Sequence, residues 1–465
     1  MFNGLDKVRL GAGASSSTIH PLILGWMMIA VILTFILPRR HVIVPLLISL
    51  FFVPFGQQIY VGGVHLFATR VVILSGLIRV FGTKLPNGFT GIDKLFAMWA
   101  AFRVTATLLL FPQLQAVINQ GGFVWDAVGG YFLFRQLLRS KEDVLYTVKL
   151  LAVFVAILGA TMTGERLTGH NVFGLIGGVW LSQVRDGSLR SQGSFQGPIP
   201  AGTFAATLVC LFAWLLREKG SRVMAIVGMA GAAVMIFTSA SSTPLLTIAA
   251  AGVGLAFWPL RNHMRLMRWG AVLALAALQL VMKAPVWMII NHISLVGGNS
   301  AYHRAMLVDQ FIRHFEDWWL IGVKSTALWG WDMWDQANQF AWEGESGGLL
   351  TFICFVLFIT RSFGLLGKAR KMAAVQGRSE WPFWAFGSAL FAFVVAFFGI
   401  SLADQLQYGW YALLAMIGAI AWPVLAATPA ASEPILMEEQ TVPSLTADAR
   451  ETQDVVSAWM AQQRR

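Results

Sequence analysis

Three arginines carry the chemistry this sequence can offer: Arg190, Arg304 and Arg313. A guanidinium is a planar fork of N–H donors that matches phosphate oxygens two at a time and does not lose its proton. Arg190 opens the run Arg-Ser-Gln-Gly-Ser-Phe-Gln-Gly-Pro-Ile-Pro-Ala-Gly202. Its glycines and prolines describe irregular backbone entering a helix. Such backbone survives at membrane depth only where protein or a water-filled cavity satisfies its polar groups, so Arg190 is expected beside a cavity; the alternative is a solvated arginine on a surface loop. Arg304 and Arg313 share residues 302–315, where Ala305, Met306, Val308, Phe311, Ile312 and Phe315 recur near a 3.6 period, the mark of an amphipathic helix. Its plainer reading is a helix lying on a membrane with snorkelling arginines. Guanidinium groups beside a cavity suit a diphosphate at a membrane surface, such as the head group of a polyprenyl-linked sugar. In a transfer reaction they would stabilise charge growing on the departing diphosphate.

Competing chemistries lack their motifs. No Walker loop, dinucleotide-binding Gly-x-Gly-x-x-Gly or His-Glu-x-x-His zinc helix occurs, and the Gly-x-Ser-x-Gly elbow is missing. His170, His292, His303 and His314 are not spaced as metal ligands, so the sequence implies no metal and no cofactor.

The elements that must position these residues are set by composition. Of 465 residues 57% are hydrophobic and 12% charged, with a mean hydropathy of +0.65. A soluble chain carries about 25% charged residues, and half that share cannot coat globular domains with water-compatible surface. Cys210 and Cys354 sit inside apolar runs, against a disulfide framework or a thiolate metal site. The expected class is all-α, a polytopic membrane helical bundle of about twelve or thirteen transmembrane helices, each needing about 20 apolar residues. Candidate spans fall at 21–37, 42–54, 62–80, 92–111, 119–137, 144–162, 201–216, 223–238, 245–260, 269–290, 346–364, 382–400 and 406–427. The second is short, and with the first it could form a broken hairpin.

The net charge of +11 raises a nucleic-acid partner, but the basic residues form short clusters between apolar runs rather than one stripe. Arg135-Gln-Leu-Leu-Arg-Ser-Lys141, Arg217-Glu-Lys-Gly-Ser-Arg222, Arg261-Asn-His-Met-Arg-Leu-Met-Arg268 and Lys368-Ala-Arg-Lys371 with Arg378 are each separated by two crossings. All four therefore belong on one side, which the positive-inside bias makes cytoplasmic. Two larger polar segments, about 163–200 and 291–345, then fall outside. Residues 1–20 read as a flexible lead-in, 21–428 as the bundle, and 429–465 as a polar cytoplasmic tail with a short amphipathic helix near 449–460.

The external segments resemble a known family. Arg190, Gly193, Ser194, Phe195 and Pro198 follow the Arg-x-x-Gly-Thr-Phe-x-x-Pro pattern of the O-antigen ligase and O-antigen polymerase superfamily, with Ser for Thr. Arg304 with Trp319-Leu-Ile-Gly322 is similar to the family's arginine and glycine turn in its large late loop, and Ala337-Asn-Gln-Phe-Ala341 with Gly347-Gly-Leu-Leu350 to its His-Asn-x-Tyr-Leu segment and glycine-rich entry. The resemblance implies a metal-independent membrane glycosyltransferase in a bacterial inner (cytoplasmic) membrane, with the external segments periplasmic. It implies transfer of a glycan from undecaprenyl diphosphate to an acceptor hydroxyl, with the lipid bilayer and polysaccharide assembly proteins as partners. Arg190, Arg304 and Arg313 would bind substrate. Where the pattern places histidine this chain has Ala337, which leaves the base to Asp335, Glu343, Glu345 or His303; a partly dry site strengthens a carboxylate for that role. A transporter, or a non-catalytic glycolipid-binding subunit of a polysaccharide system, are the alternative classes.

Overall fold

The computed structural model describes residues 17–62, 64–185, 187–292, 300–334, 337–427 and 449–462. Most of the expected lead-in and of the polar tail, and Asp335, lie outside the described residues. The chain divides into two units, residues 1–426 and 427–465. In chain order the first unit runs α1 (Pro21–Ile36), α2 (Ile43–Phe51), β1 (Gln58–Val61), β2 (Val64–Phe67), α3 (Ala68–Val80), α4 (Gly91–Leu110), α5 (Leu114–Val124), a π turn (Trp125–Gly129), α6 (Gly130–Leu137) and α7 (Lys141–Thr168). It continues through β3 (Gln183–Arg185), β4 (Ser188–Arg190), α8 (Pro198–Leu215), α9 (Arg222–Thr238), α10 (Ser242–Ala256), α11 (Met264–Val281), α12 (Ser300–Arg313), α13 (Phe315–Trp318), α14 (Gln339–Val375), α15 (Trp381–Ala396) and α16 (Asp404–Ala426). The second unit holds α17 (Ala449–Gln462), the helix expected near 449–460, with Val456, Trp459 and Met460 exposed.

Every expected span has a helical counterpart, and among the described residues α7, α8, α11, α14 and α16 are long and apolar enough to cross a membrane. The early spans depart from expectation. Residues 62–80 do not begin as helix: they complete an antiparallel hairpin, Gln58 facing Phe67 and Val61 facing Val64, and α3 starts only at Ala68. Thr18 adds to the hairpin edge, donating its N–H to Gln58 O (3.0 Å), so the last residues of the lead-in are tethered. Pro38 and a 3-10 turn (Arg39–Val42) separate α1 from α2. At nine residues α2 rises only about 14 Å, too short to span alone.

The centre of the bundle is built on α8 and α16, whose Phe204, Phe212, Trp214 and Trp410 are fully buried with Phe355 and Phe358 of α14. At the other extreme, α11 buries none of its residues in this chain. Its 18 residues rise about 27 Å, close to the hydrocarbon thickness of a bilayer, and Leu266, Val272, Leu273 and Leu280 are all exposed.

The four basic loops meet at one end. Arg39 donates to Leu137 O and to Asp143 Oδ2 (3.0 Å), and Lys141 pairs with Glu218 at 2.7 Å. The Arg217 guanidinium lies 3.7 Å over the Trp381 ring, and Glu380 takes both Arg261 (3.5 Å) and Arg370 (2.9 Å). One residue counted from sequence as a loop charge turns inward. Arg135, 1% exposed, grips Asp93 with two parallel bonds of 3.1 Å. Asp93 is also the third residue of α4 and closes a capping box with Thr90, while the Tyr131 hydroxyl donates to its Oδ1 at 2.6 Å.

Because both charges are buried, removing one strands the other. Arg135→Met is expected to destabilise the chain by about 3–5 kcal/mol, and neutralising its partner in Arg135→Met/Asp93→Asn to recover part of that. Thermal unfolding of the detergent-solubilised variants, followed by circular dichroism, checks both.

Candidate functional site

Opposite the basic end, the chain between α7 and α8 folds back into the protein. A left-handed Gly169 (φ 75°) ends α7, and β3 pairs with β4 so that Gln183 faces Arg190. Residues 190–195 are then continuously buried, far from the solvated loop that was the alternative. Their polar backbone is satisfied piece by piece. The Glu165 carboxylate accepts from Gln192 N (3.1 Å), Gly193 N (2.8 Å) and Ser182 Oγ (3.0 Å). Asn171 Nδ2 donates to Gly193 O (2.6 Å), and Gln405 Nε2 donates to Ser194 O (2.8 Å). Arg166 donates to Leu189 O, and Ser191 N to Thr238 O at 3.0 Å. Pro198 then starts α8 at the first-turn position that needs no N–H.

This packing aims Arg190 at the turn between α9 and α10. The turn reads Ser239-Ala-Ser-Ser-Thr243, with Ala240 in the left-handed region at φ 43°. Arg190 donates from its terminal nitrogen to Ser241 Oγ and from Nε to Ser239 O (3.4 Å). From the other direction, Arg304 on α12 donates to Ser242 Oγ (3.3 Å) and Thr243 Oγ1 (2.9 Å). Both side chains are more than nine-tenths buried. Their hydroxyl acceptors belong to consecutive residues, whose Cα atoms are about 3.8 Å apart, which keeps the two guanidinium groups within about 15 Å of each other. The same turn starts α10, whose first amides the Ser241 side chain does not cap, so the positive end of that helix adds to the field.

Among the described residues, none of the remaining candidates bonds to the arginine turn. Arg313 pairs with Asp309 one turn back (2.7 Å), its side chain 64% exposed, so it does not join Arg190 and Arg304. His303 turns to the 332 turn, its Nε2 2.9 Å from Asp332 O. Glu343 is wholly buried, accepting from Trp99 Nε1 (2.7 Å) and Gln339 Nε2 (2.5 Å) with Arg103 at 3.8 Å. Glu345 is 6% exposed and its carboxylate has no hydrogen bond or ion pair among the described residues. Both glutamates ride on the first turns of α14, which breaks at Gly348 (φ 73°, ψ −173°). A side chain at Gly348 would strike Leu320 O at 2.5 Å, because the 319–322 turn is hydrogen-bonded into the break through Leu349 N to Trp319 O (2.8 Å) and Val323 N to Glu345 O (2.8 Å). The tryptophans of this region divide: Trp318 and Trp329 are buried, whereas Trp319, Trp331 and Trp334 are exposed. Phe340 packs against Phe355, Phe397 and Phe398.

Sequence reasoning missed the acceptor turn itself. Its signal was present: six consecutive residues, 238–243, of which five carry hydroxyls, between two apolar spans on the side away from the basic loops. Glu165 was also passed over, having been read only as the beginning of a polar loop.

Replacing Glu165 by Ala strands two buried amides at about 1–3 kcal/mol each, whereas Glu165→Gln keeps one acceptor. The expected order of thermal stability in detergent is wild type, then Gln, then Ala, and equal midpoints for Ala and wild type would show that the loop is held by other means. Compared with known proteins, the chain matches no family model and no curated protein.

Proposed function

We propose that this protein is a bacterial inner-membrane glycosyltransferase of the O-antigen ligase and polymerase type, moving a glycan from a polyprenyl-diphosphate donor to an acceptor hydroxyl. The observation that supports it is the convergence of Arg190 and Arg304, from separate segments, on one hydroxyl-rich turn. Under this reading the basic end is cytoplasmic and the arginine site opens on the periplasmic side. Polysaccharide assembly proteins are its expected neighbours.

In the mechanism, Arg190 and Arg304 hold the donor diphosphate, joined by the first amides of α10. The acceptor oxygen attacks the anomeric carbon from the face opposite the diphosphate, the bond from that carbon to the diphosphate oxygen breaks, and configuration inverts. The electron pair leaves with the polyprenyl diphosphate, where the guanidinium charge stabilises it. The acceptor proton passes to a carboxylate. Glu345 is assigned that role because it is buried and uncommitted, whereas Glu343 is tied to Trp99, Gln339 and Arg103.

A transporter or a non-catalytic glycolipid-binding subunit is the second reading, favoured by ionisable residues inside the bundle. Arg70–Asp126, Arg103–Glu343 and Arg135–Asp93 are such pairs. Each is matched by its own partner, which suits a structural role as well as a relay.

The test is turnover of a purified polyprenyl-diphosphate glycan by the detergent-solubilised chain, where no gradient exists. Arg190→Ala and Arg304→Ala are each expected to lower kcat/KM by about a hundredfold or more, with Lys intermediate, and Glu345→Gln to lower kcat. Unchanged turnover in both arginine variants removes the assignment, and binding without any product favours the second reading.

A further inference from the structure

A cavity of about 220 Å³ lies beside the arginine site, between the end of α2, the β1–β2 hairpin, the start of α3 and the start of α16. We propose that it is a subsite for a neutral sugar unit whose hydroxyl hydrogens are accepted by Asp404 and Gln405.

The two acceptors are the first observation. Asp404 Oδ2 and Gln405 Oε1 are both buried with no hydrogen-bond partner among the described residues, and Gln405 is 4% exposed. Buried acceptors are ordinarily paired, so two side by side on the cavity wall call for a donor. Gln405 cannot turn its amide to escape, because its Nε2 is spent on Ser194 O (2.8 Å). Asp404 is fixed in the left-handed region at φ 50°, an unusual conformation that sets its carboxylate at the cavity.

The second observation is charge. Arg70 also lines the cavity, but Asp126 takes it through Nε at 3.0 Å and the terminal nitrogen at 2.6 Å, and Tyr408 donates to the same carboxylate at 3.1 Å. Arg70 is the one cation among these lining residues and Asp126 already matches it, so no spare cation faces the cavity, which disfavours phosphate. Among the described residues no three His, Cys, Asp or Glu side chains gather to hold a metal ion. A neutral ligand with several hydroxyl donors fits what is left, and the Phe55 and Phe67 rings, 5.8 Å apart and nearly parallel, give one wall an apolar face for a pyranose.

The subsite is joined to the arginine site through one loop. A side chain at Gly399 would lie 3.1 Å from Arg304 Nε, and five residues later Asp404 opens the cavity wall; Gln405 then touches the strand of backbone that Arg190 begins. That the sugar belongs to a transferred or accepting glycan rests on the function proposed above, whereas sugar binding itself does not.

The experiment uses the full chain in detergent with the methyl glycosides of glucose, galactose, mannose and N-acetylglucosamine. Saturation-transfer NMR reads binding, and the thermal midpoint reads stabilisation. At least one glycoside is expected to bind and to raise the wild-type midpoint. Asp404→Asn keeps the backbone, since Asn tolerates the left-handed region, but exchanges an acceptor for a donor; affinity is expected to fall about tenfold or more. Phe55→Leu, at a partly exposed ring, is expected to weaken binding without unfolding the chain. Failure of all four glycosides to bind wild type overturns the proposal, as does undiminished binding by Asp404→Asn, or stabilisation by sodium or magnesium in their place. Should Asp404→Asn not fold, the wild-type midpoint and Phe55→Leu decide. Sugar binding with no transfer would count against the glycosyltransferase reading alone, and transfer with no hexoside binding against the subsite alone.

Discussion

Two guanidinium groups, each more than nine-tenths buried, are held at a single turn of five residues. Taking a charge out of water carries an effective penalty of several kcal/mol even after the protein relaxes. Two like charges within about 15 Å add repulsion of about 1 kcal/mol or more at the effective dielectric of a protein. The arrangement persists because the surroundings over-determine it. Ala240 accepts a left-handed turn, the serine and threonine hydroxyls offer neutral acceptors, and Glu165 locks the backbone that carries Arg190.

The loop between α15 and α16 is the strut on which the non-basic end depends. Gly399 O accepts from Thr243 Oγ1 (3.3 Å) beside Arg304. Leu402 N donates to Gln339 Oε1 (2.5 Å), whose amide in turn holds Glu343. Asp404 and Gln405 then face the cavity. A few consecutive residues thus touch the arginine turn, the broken start of α14 and the cavity, so a shift in this loop would be felt at all three.

Helices were legible where apolar runs are long, because burial in protein or lipid selects the same residue types. The common side of the basic loops was legible too, since paired crossings leave no other arrangement, and the contacts of Arg39, Lys141, Arg217 and Glu380 now join those loops. What sequence could not show was direction. Arg135 is chemically the same as its loop neighbours, yet Asp93 lies forty-two positions away and draws it inward. The β1–β2 hairpin was hidden because its residues are as apolar as a helix, and short apolar runs do not distinguish the two. Arg190 and Arg304 were singled out by their surroundings in sequence, but the turn that unites them comes from a third segment that neither motif contains.

The arrangement of donors and acceptors at the non-basic end gives any ligand a polarity. The arginine turn presents guanidinium donors and the neighbouring cavity presents the acceptors of Asp404 and Gln405, and Gln405 and the 190–195 backbone lie between them. A molecule that is anionic at one end and rich in hydroxyls at the other meets both demands in only one orientation. Reversal would set phosphate against Asp404 and leave two guanidinium groups facing neutral hydroxyls, losing the charge-assisted bonds that are roughly twice as strong as neutral ones. On the proposed reading, the bond between sugar and diphosphate must then fall near the junction of the two regions. Orientation is set by electrostatics before any catalytic group acts, and this leaves the base with little to do beyond receiving one proton.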